Sequence, residues 1–250
     1  MYGTRPVPRI CTLSLRLMAQ KKLLRFAQIK TFDHVLEYPE NMAGKWHSFF
    51  KNTHPIVLEL ACGRGEYTTG LARLYPNKNF VGVDIKGNRM YIGAKKALDE
   101  KLENAAFLRT QIESISAYFD AHEADEIWIT FPDPQLRTSK AKKRLTHPRF
   151  LRLYNQILKP KGNIHLKTDS PALYQFTKKV IAKYGLTLLE DNDDIYHTQP
   201  KPELLIKTHY ERLDIAQSKK IHYLRFCLPL QIPQLDRELQ EELKETENKD

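Results

Sequence analysis

The residues with the plainest chemical promise are a carboxylate held between two prolines. Glu126-Ile-Trp-Ile-Thr-Phe-Pro-Asp-Pro134 is an apolar run ending on Asp133, and Thr138-Ser-Lys-Ala-Lys-Lys-Arg144 follows closely. Proline fixes its own φ and biases the residue before it towards extended geometry. Pro134 therefore restrains Asp133, and Pro132 restrains Phe131. The pattern predicts a rigid acid beside a cationic loop, in which Lys140, Lys142, Lys143 and Arg144 can hold a polyanion backbone without reading bases. A solvated loop is the competing reading of the same run.

A second constellation lies upstream. Glu59-Leu-Ala-Cys-Gly63-Arg-Gly65-Glu-Tyr-Thr68 falls where an apolar strand feeds a helix, and glycines there let the backbone approach a ligand closely. A dinucleotide turn wants a third glycine or alanine where Thr68 stands, and Glu59 would repel a pyrophosphate. The same carboxylate suits a cationic amino-acid group. Asp84, 25 residues on at the end of the next strand, suits ribose hydroxyls. S-adenosylmethionine carries both parts. Gln111, after the third strand, is a candidate for the adenine edge. The structural alternative is a plain turn with Asp84 capping a helix.

These residues need a scaffold that brings strand ends together. Apolar runs bounded by turn residues predict strands at 56–60, 80–84, 106–109, 126–131 and 163–167,. Helices are expected at 67–75, 88–101, 115–122, 148–158 and 171–184, two of them opened by Pro148 and Pro171,. Strands at 186–189 and 221–228 follow, separated by a polar segment, 190–213, and a charged helix solvated on most sides is expected after Pro233. The alternation implies an α/β, Rossmann-like, mostly parallel sheet with an antiparallel edge and helices on both faces. Residues 1–18 read as a disordered lead or a mis-assigned start, with Met18 the alternative initiator. Residues 19–54 form a basic and aromatic N-terminal arm, its cations directed at RNA or its aromatics capping a sheet edge. Residues 55–230 form the main domain, and 231–250 a charged tail.

Charge placement narrows the partner. Forty Lys and Arg against thirty Asp and Glu leave +10, with no acid before Asp33 and none between Asp133 and Asp169, where ten cations fall. Such clustering favours nucleic acid, and no basic amphipathic face points to a membrane. The three cysteines, Cys11, Cys62 and Cys227, lack metal-ligand or pairing spacing,, so no metal is expected and a reducing cytoplasm fits. Oligomeric state leaves no signature.

The glycine turn with its spaced acid resembles the motif of class I methyltransferases. More of the chain carries a narrower likeness: F-P-D-P at 131–134, K-K-R-L-T at 142–146, L-K-P-K-G at 158–162, H-L-K-T-D at 165–169 and T-H-Y-E at 208–211. Together, in that order, they resemble the bacterial tRNA (guanine-N7)-methyltransferases. The resemblance runs from about Lys21 to Phe226. It implies S-adenosylmethionine as methyl donor, tRNA as partner and N7 of a variable-loop guanine, position 46, as acceptor. It places Glu59, Asp84, Gln111 and Asp133 at donor contacts, with Asp133 also the catalytic position. Arg137, Asp169, Thr208, His209, Tyr210 and Glu211 fall at substrate positions. Asp169, ahead of Ser170 and Pro171, reads equally well as a helix start. The chain departs from the family pattern at Gln135, where tryptophan is usual, and at Gln111, where an acid is usual. Two other readings stand beside this one: amino methylation of adenine, and an RNA-binding module that keeps the fold without turnover.

Overall fold

The computed structural model describes residues 20, 23–213, 217 and 219–247; the expectations for residues 1–18, Lys21 and Lys22 fall outside them. In chain order the elements begin with a helix over 23–29 (α1), Val35–Glu37 (β1), Trp46–Phe50 (α2), Ile56–Leu60 (β2), Glu66–Leu74 (α3), Asn79–Asp84 (β3), Gly87–Asp99 (α4) and Ala105–Arg109 (β4). Ala124–Thr130 (β5), Pro148–Ile157 (α5), Leu158–Thr168 (β6), Pro171–Lys183 (α6), Thr187–Asn192 (β7), His209–Leu213 (α7), His222–Cys227 (β8) and Asp236–Glu247 (α8) complete them.

The strands form one sheet in the order β1-β4-β3-β2-β5-β6-β8-β7. The first six in sequence run parallel, and β8 lies antiparallel to both β6 and β7. The chain moves outward from β2 through β3 to β4, then returns to the other side of β2 with β5. That reversal opens a crevice at the carboxyl ends of β2 and β5, where open α/β sheets bind ligands. Both predicted constellations end there.

Every residue of β2 is buried, as a strand covered on both faces requires. Ile56, Leu58 and Leu60 join the core cluster with Trp46, Phe119, Phe150 and Tyr184. Val57 points to the opposite face, with Tyr67, Met90, Phe107, Trp128 and Tyr223. The two-residue period of the strand therefore turns Glu59 towards α3 rather than into the crevice.

Three differences from the sequence-based expectations stand out. The N-terminal arm contributes a strand: β1 pairs with β4 in register Val35 to Phe107, and a three-residue strand carries no periodicity to find. Helix 115–122 is instead a 3-10 segment, Ile112–Ala117. Phe131, expected to be extended before Pro132, has φ of 46°, a left-handed turn that swings the chain off β5. The terminal helix α8 is the charged helix expected, solvated on most sides and docked along one, where Leu239 is buried and Asp236 pairs with Arg152 and accepts a hydrogen bond from Tyr184.

Candidate active site

The crevice is a cleft of about 1140 Å³. Its walls include seven of the residues singled out from sequence: Gly63, Asp84, Gln111, Asp133, Lys143, Asp169 and Tyr210. Glu59, Gly65, Arg137, Thr208, His209, Glu211, Lys140, Lys142 and Arg144 do not line it. Each of these has a distinct place.

The glycine turn forms the floor on one side. Gly63 and Gly65 have φ of 56° and 65°, values that favour glycine. A Cβ on Gly65 would lie 2.4 Å from Phe107, so that residue serves close packing of α3 rather than the cleft. Gly63 donates its N–H to Asp84 Oδ2 at 2.9 Å, and Lys86 donates to Oδ1 at 2.8 Å. These bonds aim the Asp84 carboxylate along the cleft while each oxygen keeps further acceptor capacity. Lys86, not Asp84, is the N-cap residue of α4.

Glu59 sits beneath the floor. Its carboxylate accepts from the Thr68 N–H at 2.7 Å, from the Thr68 hydroxyl, and from Thr130 Oγ1 at 2.7 Å. It thereby ties the first turn of α3 to the end of β5. Burial pushes this carboxyl up to about 7; the threonine bonds oppose the rise and Glu66 adds to it. Because the folded-state value lies above the ordinary 4.5, folding takes up a proton. The resulting stabilisation is complete below about pH 4.5 and is lost as pH rises through about 7,. At about 1.4 kcal/mol per unit, the loss amounts to about 3 kcal/mol. Glu59→Gln, which cannot ionise, is expected to flatten stability across this window. Urea unfolding of both proteins at pH 5 and pH 8 checks this, and parallel losses in the two would refute it.

The opposite wall is the 131–137 loop. Asp133 is exposed, and its Oδ1 accepts the Gln135 N–H at 3.0 Å, an Asx turn that restrains the carboxylate. Gln135 itself has φ of 48°. Arg144, expected to face a phosphate backbone, is turned inward with only 5% of its surface exposed. Its guanidinium donates to the carbonyls of Pro134, Gln135 and Leu136 at 3.1–3.3 Å and lies 4.4 Å from the Phe176 ring centroid. A buried clamp thus holds the loop that carries Asp133. Arg137, Lys140, Lys142 and Lys143 remain exposed, the lysines on a 3-10 segment, Thr138–Lys143. Leu136, 67% exposed, stands on the cleft wall beside Gln135.

The far end closes with α6 and the 208–213 turn. Ser170 is the α6 N-cap, accepting from Leu173 N at 3.3 Å, with Pro171 next. Asp169 is therefore not the cap and stands on the cleft wall. Thr208 Oγ1 accepts from Glu211 N at 3.1 Å, as in a helix-start box, and His209 N donates to Glu66 at 2.7 Å. Of the four, only Tyr210 reaches the cleft. Sequence reasoning missed Arg89, Glu113 and Leu136 on these walls, for none belongs to a spaced motif.

Chemically, the cleft sets an acceptor carboxylate and a glycine backbone on one side and a second, loop-borne carboxylate on the other, with Leu145 and Phe150 as apolar lining. A family model described as "Putative methyltransferase" matches residues 53–224. A Bacteroides thetaiotaomicron protein named tRNA (guanine-N(7)-)-methyltransferase is 47% identical over 236 residues, covering 89% of this chain and 93% of its own. One of the same name from Porphyromonas gingivalis is 49% identical over 213 residues, covering 80% and 86%. Among solved structures, the 16S rRNA methyltransferase KamB superposes with a TM-score of 0.58 at 15% identity, covering 78% of this chain and 99% of its own. That likeness is one of fold.

Proposed function

The chain belongs to the tRNA (guanine-N(7)-)-methyltransferase family, and on that premise we propose that it methylates N7 of guanine 46 in the tRNA variable loop, with S-adenosylmethionine as donor and Asp133 as the catalytic residue. The observation that carries the reading is the opposition of two carboxylates across one cleft, Asp84 braced by the glycine turn and Asp133 on its clamped loop.

S-adenosylmethionine, when bound, supplies an electrophilic methyl group. The donor set fits it: Asp84 has acceptor capacity for ribose hydroxyls, Gly63 offers close backbone approach, and Gln111 stands on the wall for an adenine edge. Glu59 acts from beneath, holding the turn through Thr68. Guanine N7 carries a lone pair, so no proton has to leave before attack. Catalysis then rests on alignment, worth roughly 7–11 kcal/mol for well-oriented groups, and on stabilising the charge that develops on the ring. One Asp133 oxygen takes the Gln135 N–H; the other is available to the guanine N1 and N2 donors. Asp169 stands on the wall to share the ring, the exposed Arg137 is available to the tRNA, and Tyr210 closes the donor side on a turn that Thr208, His209 and Glu211 hold in place through their own bonds.

Incubation with tRNA lacking the modification, followed by nuclease digestion and mass spectrometry, tests the assignment. The expected product is N7-methylguanosine from the variable loop. A methylated adenine, or donor binding without transfer, would favour one of the two other readings. The names of the relatives at 47% and 49% identity weigh against the adenine reading.

The exposed lysines make a separate prediction. Replacing Lys140, Lys142 and Lys143 by glutamine is expected to weaken tRNA binding and to reduce the slope of log affinity against log salt by about 2, at roughly 0.7–0.9 per phosphate contact. Filter binding between 50 and 200 mM salt is the measurement; an unchanged slope would detach these lysines from the tRNA.

A further inference from the structure

Lys167 is the least expected charge in the molecule. It lies on β6 among apolar residues, and its side chain is 0% exposed. The period of the strand sends it to the α3 face, where its ammonium stands 5.5 Å from the ring centroids of both Tyr67 and Phe131. Burying an ammonium is strongly unfavourable unless it is paired and hydrogen-bonded, and well-packed apolar residues in place of a buried pair are often no less stable. The partners therefore indicate what the charge accomplishes. All three acceptors recorded for it lie on one stretch of chain: the Leu204 carbonyl at 2.8 Å, the Ile206 carbonyl at 3.0 Å and Glu211 Oε2 at 3.0 Å.

That stretch is a strap laid along α3. Tyr67 and Tyr75 hold Glu203, Ile206 fills the space above Gly70, and Glu66 takes His209 N. Glu211, 5% exposed at its side chain, also accepts from Tyr196. The strap delivers Tyr210 to the glycine turn. Its Cε2 lies 3.6 Å from where a Gly63 Cβ would be, and Arg89 stands over its ring, 5.7 Å from the centroid. Lys167 thus fixes the segment whose tyrosine forms the Gly63 side of the cleft.

We propose that Lys167 is a positioning residue for the methyl donor, seating the 204–211 strap so that Tyr210 closes the donor side of the cleft. This rests on the reading of the cleft as the S-adenosylmethionine site. Lys167 touches neither donor nor guanine; it acts through Leu204, Ile206 and Glu211.

Calorimetric titration with S-adenosylhomocysteine tests it on the full chain. Lys167→Met is expected to raise the dissociation constant about tenfold. Because it also strands the Glu211 carboxylate, Lys167→Met/Glu211→Gln serves as a second variant that removes both charges while keeping the volume filled. It is expected to show the same tenfold loss with a cooperative thermal transition. Tyr210→Ala should weaken binding to a similar extent, and adding it to the double variant should cause less than about a threefold further loss, since both changes remove one device. In methyl transfer the effect should appear as a higher KM for the donor, with kcat within about threefold. An affinity within twofold of the parent in the folded double variant, or losses that multiply with Tyr210→Ala, would overturn the inference. Failure of the unaltered chain to bind S-adenosylhomocysteine would overturn the donor-site reading, and this inference with it.

Discussion

Asp133→Ala is expected to lower single-turnover methyl transfer by about 10²–10³, the range for removing one preorganised hydrogen-bond partner at a developing charge. Its unfolding free energy should stay within about 0.5 kcal/mol of the parent, as for other exposed positions. The two expectations separate because of where the residue stands. Asp133 is exposed, and its recorded bond is a local one to Gln135 N, so little folded structure depends on it. The proposed chemistry depends on it twice, for orienting the guanine ring and for offsetting the charge that methylation places there.

Asp133→Asn distinguishes these two contributions. The amide carbonyl can keep the bond to Gln135, which preserves the loop, but the negative charge is gone and one acceptor has become a donor. A rate between those of alanine and the parent would assign part of the effect to orientation; a rate as low as that of alanine would assign it to charge. Saturating tRNA and donor are needed in each case so that the chemical step is read. Near-parental turnover of Asp133→Ala would remove the residue from its role.

Both the opening stretch and the glycine turn were legible because their signals are local. An apolar run closed by Pro132, or by the glycines after Leu60, marks a strand end, and strand ends are where this architecture binds ligands. Pro148 and Pro171 likewise marked the starts of α5 and α6. What escaped depends on partners remote in sequence. Glu59 reads as a ligand contact from its place in the motif, yet the strand period turns it beneath the floor, onto Thr68 and Thr130. Lys167 sits in the alternating strand Ile164-His-Leu-Lys-Thr168, whose pattern does not announce three acceptors some 40 residues away. The α8 pattern is dominated by charge, which hides the buried Leu239. A backbone carbonyl has no sequence signature at all, and for that reason the four cations at 140–144 read alike although one of them differs in kind.

That difference gives the second large effect. Arg144→Met is expected to destabilise the fold by about 3 kcal/mol, since hydrogen bonds from a charged donor contribute about 1.5–3 kcal/mol and a desolvated cation over an aromatic ring about 2 kcal/mol, part of which offsets the burial of the guanidinium. Methionine fills much of the space against Phe176 but leaves the carbonyls of Pro134, Gln135 and Leu136 without their donor. The loop that carries Asp133 should loosen, so methyl transfer should fall even where the protein remains folded. Arg144→Lys should rescue little, because a single ammonium cannot reproduce a planar fork spread over three consecutive carbonyls. The adjacent Lys143→Gln provides the contrast: exposed and without such a clamp, it should change stability by no more than about 0.5 kcal/mol and act only through tRNA. Guanidinium unfolding of the three variants, run beside donor and tRNA binding, separates the two roles. If Arg144→Met were as stable as Lys143→Gln while losing tRNA affinity with a reduced salt slope, Arg144 would belong with the lysines proposed to meet phosphates, and the geometry of the Asp133 loop would have to be held by the Asx turn and its flanking prolines alone.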